Sequence, residues 1–123
     1  MHNGNLTDSN VKQAILTTLG EILRLAEHTV AIGNKAVREA TLLPVQRRLN
    51  DLSFILSEHI PCMHHKAGEL SVHILSAIRL APYKSEGCKQ HLRRAELVMA
   101  EIKRYAHELT WCDDELEAPL ARS

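Results

Sequence analysis

Aromatic residues are scarce in this 123-residue chain: Phe54, Tyr83, Tyr105 and Trp111 make up 3% of it. So few rings leave little of the rigid lining common in small-molecule pockets. They also leave few platforms on which nucleic-acid bases could stack. Net charge is missing too, because 15 Lys and Arg stand against 15 Asp and Glu. A dedicated nucleic-acid binder would carry a basic excess. A disordered chain would combine high net charge with few apolar residues, whereas 45% of this one is apolar. No apolar run approaches the ~20 residues of a membrane-spanning helix. The opening MHNGNLTDSN lacks the apolar core of an export signal. Gly20, Gly33, Gly68 and Gly87 are isolated, so no glycine-rich loop is available to cradle a phosphate, and no nucleophile–base motif is found. Enzymatic activity is not expected, and no cofactor is implied.

Three cysteines, Cys62, Cys88 and Cys112, make an odd number that argues against a disulfide framework. The expected compartment is the reducing cytoplasm. Cys88 and Cys112 fall on or beside apolar stripes, where a thiol behaves as a small hydrophobe.

What is present is helical spacing. Apolar residues recur at steps of three and four, the mark of one helix face, and no strand-like alternation competes with it. Thr7 to Asn10 offer N-cap candidates. Behind them Val11, Ile15, Leu19, Ile22, Ala26, Val30, Gly33, Val37 and Ala40 form one stripe. It predicts a helix over 9–41, with a possible break at Gly33-Asn34. A second stripe runs Val45, Leu49, Leu52, Leu56, His59, Met63, Ala67, Leu70, Ile74, Ala77 and Ala81, with Pro44 suited to the first turn. Pro61 interrupts this stripe without changing its phase. The segment 44–80 is therefore one kinked helix or two helices split at 60–61, with the kink slightly favoured. Pro82 to Ser85 reads as a tight connection with Ser85 as N-cap. Cys88, Leu92, Ala95, Met99, Ile102, Ala106, Leu109 and Cys112 then give the cleanest heptad of the chain.

The predicted fold is all-α: an antiparallel bundle of three long helices, the second kinked at Pro61, or of four helices if the chain breaks there. Residues 1–8 are expected to be disordered, 9–112 to form one domain, and 113–123 to make an acidic, frayed tail. Three helices of such length would form an elongated rod with a thin core, since 33 residues span ~50 Å. Apolar residues off the stripes would then remain for contacts outside the monomer. Leu16, Leu23, Phe54, Ile55, Val72 and Leu75 are the candidates for binding a partner protein or a second copy of the chain, as in a homodimer. The expected function is a protein–protein interaction module acting as an adaptor, inhibitor or regulator.

Two chemical alternatives come from the histidines, eight in all. His65, Glu69 and His73 stand at i, i+4 and i+8 along one side of a helix, and imidazole and carboxylate suit zinc or iron. His91, His107 or Glu101 could add a ligand from another helix. The second alternative centres on His64, followed by Lys66 and by Gly68 at the fourth place. That run partly resembles histidine phosphotransfer domains, helical bundles of similar length. It departs from them where Ala67 stands in place of a lysine, and the family is not assigned. The resemblance would make His64 the phosphoryl carrier, with Lys66 supplying the charge that steadies the group. Arg47-Arg48, Arg93-Arg94 and Lys103-Arg104 are basic pairs, but Glu96 and Glu101 interrupt them, so a solvated helix face is expected and nucleic-acid binding is not.

Overall fold

The computed structural model describes residues 8–81 and 85–107. The expected disordered start (apart from Asp8), Pro82 to Lys84 of the connection, Leu109 and Cys112 of the last stripe, and the acidic tail lie outside the described residues. Among the described residues there is no strand, and the fold is an all-α bundle.

Four long helices build it. They are α1 (Asp8–Val30), α3 (Leu42–His59), α4 (His64–Arg79) and α5 (Glu86–His107), with a six-residue helix α2 (Lys35–Ala40) between the first two. A 3-10 turn, Pro61–Met63, joins α3 to α4. Cross-links between neighbours fix an antiparallel order. Glu21 meets Arg48 between α1 and α3, and Ser53 meets His64 between α3 and α4. Lys66 meets Glu101 between α4 and α5. Since α5 also packs on α1, the four helices close into a ring around one core.

That core is the set of stripes. Ile15, Leu19, Ile22, Leu52, Leu56, Leu70, Ile74 and Ile102 are fully buried or nearly so. Burying a side chain of this kind contributes about 1.5–3 kcal/mol. Cys88 and Ala95 fill the seam on α5, where Val98 adds a buried residue beyond the heptad.

The chain breaks at two places, both where the sequence leaves a break open. At Pro61 it splits rather than kinks. A proline disfavours helical backbone in the residue before it, and Ile60 accordingly leaves the helical region, at φ −140°, ψ 68°. Pro61 then opens the 3-10 turn, where its missing N–H leaves no bond unmade. Ile60 turns inward, only 4% exposed, while His59, expected on the stripe, lies outside.

The first predicted helix also ends early. Ala31 and Ile32 close the end of α1 with turn bonds to His28 and Thr29. Asn34 then acts as the N-cap of α2: its Oδ1 accepts from the Val37 N–H at 3.1 Å. The non-helical residues 31–34 reset the phase. Gly33, Val37 and Ala40, expected inside, are exposed, and Arg38 is buried in their stead. Its Nη1 donates to the carbonyls of Ile32 (2.6 Å) and Gly33 (3.2 Å), tying α2 to the end of α1.

Both breaks shorten the rod that the sequence predicts. With helices of 16 to 23 residues, the longest spans about 35 Å. The start of α5 is placed as expected: Ser85 Oγ accepts from the Cys88 N–H at 3.1 Å and donates to the Leu80 carbonyl at 2.8 Å. No helix among the described residues is long and apolar enough to cross a membrane.

Candidate interaction face and the histidine sites

Leu43, Arg47, Asn50 and Phe54 follow one another on α3 at steps of four, three and four, so they share its outer face. Leu43 is 54% exposed and Phe54 67%. On α4, Val72 is 60% exposed, one turn before the half-buried Leu75. Between the two helices runs a shallow groove of about 340 Å³, lined by Leu43, Gln46, Arg47, Leu49, Asn50, Ser71 and Leu75. Isolated exposed apolar side chains are ordinary. Large ones beside a groove between two helices form a surface on which an apolar partner segment could lie.

The six side chains singled out in the sequence fall into two sets. Phe54 on α3 and Val72 on α4 are exposed. Leu23, Ile55 and Leu75 are partly buried and pack against the core, and Leu16 is half-buried. Much of the apolar surplus read from the sequence thus completes the monomer. Leu43 belongs with Phe54 but escaped the sequence reading. Its signal was the same spacing that marks the core, displaced to the polar side of the helix.

The histidines do not converge as the sequence spacing suggests. His65 is exposed, and Glu69 pairs with Lys66 at 3.5 Å. His73 instead faces α5, where its Nδ1 lies 3.1 Å from Nδ1 of His91 with the ring centroids 5.3 Å apart. Such a bond needs one imidazole to donate and the other to accept. Desolvation holds the His73 pKa below its ordinary value, with His91 and Arg94 adding to this and Glu69 opposing it. Among the described residues, no three His, Cys, Asp or Glu side chains are grouped so as to hold a metal ion.

His64 is exposed at the start of α4, with Nε2 3.0 Å from Ser53 Oγ. Lys66, expected to assist it, is engaged elsewhere: its Nζ donates to Glu101 at 2.9 Å and to Glu69 at 3.5 Å. The Glu101 hydrogen bond is the main reason its pKa is raised above the ordinary lysine value. Cys62 in the 3-10 turn is exposed and lies 3.2 Å from the Tyr105 hydroxyl, which links the turn to the end of α5. Cys88 is fully buried; burial pushes its thiol pKa up, and the nearby charge of Arg38 works against that shift.

Compared with protein-family models, with curated proteins and with solved structures, the chain matches none of them.

Proposed function

We propose that the chain is a helical protein–protein interaction module, an adaptor, inhibitor or regulator, that self-associates through the outer face of α3 and α4. The observation that carries this reading is the exposure of Leu43, which lines the α3–α4 groove, and of Phe54 and Val72 on the same two helices. A symmetric pair of copies would lay the same face of each against the other, the usual closed arrangement of soluble homo-oligomers. Three cysteines, an odd number, suit work in a reducing compartment such as the cytoplasm.

The test is light scattering coupled to size exclusion over a concentration series. The expected result is a dimer that Phe54→Glu combined with Val72→Glu converts to monomer, with helical circular dichroism unchanged. A wild-type chain that stays monomeric at every concentration overturns the proposal, and so does a double variant that stays dimeric.

A further inference from the structure

Arg38 is the least expected residue of the core. It is 7% exposed, and no carboxylate lies within ion-pair distance of it among the described residues. Its two hydrogen bonds to backbone carbonyls both leave from Nη1. They satisfy donors but bring no counter-charge, and a buried ion without one is costly. Nε and Nη2, the side-on edge of the guanidinium, have no partner among the described residues. Since no buried side-chain nitrogen lacks a partner there, that edge must reach solvent.

Arg38 also lines a cavity of about 340 Å³ among α2, the first residue of α3 and the end of α4. Lys35, Arg38 and Arg79 line it with only Glu39 to oppose them, and Glu39 forms no ion pair among the described residues. Leu42, Leu75 and Ile78 supply the apolar part of the wall. The volume sits at the lower end of ligand pockets, roughly 300–1,000 Å³. The cavity at Arg48 makes a useful contrast: there the guanidinium already has Glu21 at 3.3 Å and Asp51 at 3.1 Å. One cation has its anions from the chain, and the other does not.

We infer that this cavity binds a small organic carboxylate: the head seats on the side-on edge of Arg38 between Lys35 and Arg79, and an apolar body lies on Leu42, Leu75 and Ile78. The fork of a guanidinium matches a carboxylate with two parallel N–H···O bonds. The inference stands apart from self-association, since it rests on the cavity beside α2 and not on Phe54 or Val72.

Octanoate is the probe, with octanol and inorganic phosphate as controls for each half of the ligand, read by calorimetry and by amide chemical shifts. The expected result is octanoate binding about tenfold or more tighter than either control, with shifts centred on residues 35–42 and 75–79. Arg38→Met removes the binding. Because Arg38 also ties α2 to α1, a second variant is needed, and Lys35→Gln with Arg79→Gln changes only side chains on the cavity wall. It should weaken octanoate about threefold or more and lessen the dependence of affinity on salt. Octanol or phosphate binding as tightly as octanoate, shifts elsewhere, an unchanged affinity in the double variant, or no binding at millimolar octanoate each overturn the inference.

Discussion

Arg38 and Lys66 are cations near opposite ends of the bundle. Arg38 acts on Cys88, whereas Lys66 meets Glu101, thirteen residues or about 20 Å further along α5. Lys66 keeps 19% of its side chain exposed and has two carboxylates. Arg38 is more deeply buried and has only carbonyl oxygens. The end with easier access to water is the one with its charges balanced. Charge pairing here does not follow the electrostatic need of the fold, and that imbalance marks Arg38 as the residue with a task beyond packing.

The most severe test of the contrast is Arg38→Ala. It removes two charge-assisted bonds that hold α2, and a hydrogen bond of this kind is worth about 1.5–3 kcal/mol. The expected loss is about 2–3 kcal/mol of unfolding free energy in urea, below the sum because water can replace part of what is lost. A change of a few tenths would show that the carbonyl ties are idle. A smaller effect belongs to the His73–His91 pair, which links the two helices that Lys66 also links. His73 has a depressed pKa in the fold, so the unfolded chain binds its proton more readily. Its contribution is therefore present above the unfolded value of about 6.5 and is lost as pH falls through and below it. Comparing urea midpoints of the wild type and His73→Gln from neutral to acid pH should show a shallower fall in the variant. Equal slopes would remove His73 from the acid response. The smallest effect is expected for Lys66→Met, with no measurable shift of the urea midpoint at neutral pH, as is usual for ion pairs open to solvent. The raised pKa means that whatever Lys66 contributes is complete below the unfolded value of 10.5 and is lost as pH rises from there through its folded value. A clear loss at neutral pH would reverse the ranking of the two cations.

The core was legible because helical spacing is a local property. Val11 to Val30, Val45 to Leu56 and Cys88 to Ala106 turn the expected stripe residues inward. Spacing failed at residues 31–34, where the chain re-entered the helix in a new phase; at 60–61 it misplaced only His59, since Met63, Ala67, Leu70, Ile74 and Ala77 are buried as the stripe predicts. Counting by threes and fours passes through residues 31–34 and 60–61 as if they were helical, so it put Val37 and His59 inside. Arg38 could not be read at all, because a basic residue is assigned to the outer face unless something non-local buries it. The cavity was hidden for a related reason. A scarcity of aromatics argued against small-molecule pockets, but this one is walled by aliphatic side chains and three cations. The trio His65, Glu69 and His73 shares a helix side but does not converge, and of the residues expected to join it from another helix His91, eighteen residues from His73, meets that histidine alone.

Six residues are too few for α2 to hold its shape alone. Its order is borrowed from the Asn34 cap, from its packing on α3 and from the Arg38 ties to the end of α1. It can therefore open as a separate unit at far less free energy than unfolding the four-helix core requires. Lys35, Arg38 and Glu39 would leave together when it does, and the cavity would cease to exist. A ligand seated there would close the segment by mass action, so occupancy and local order become one equilibrium.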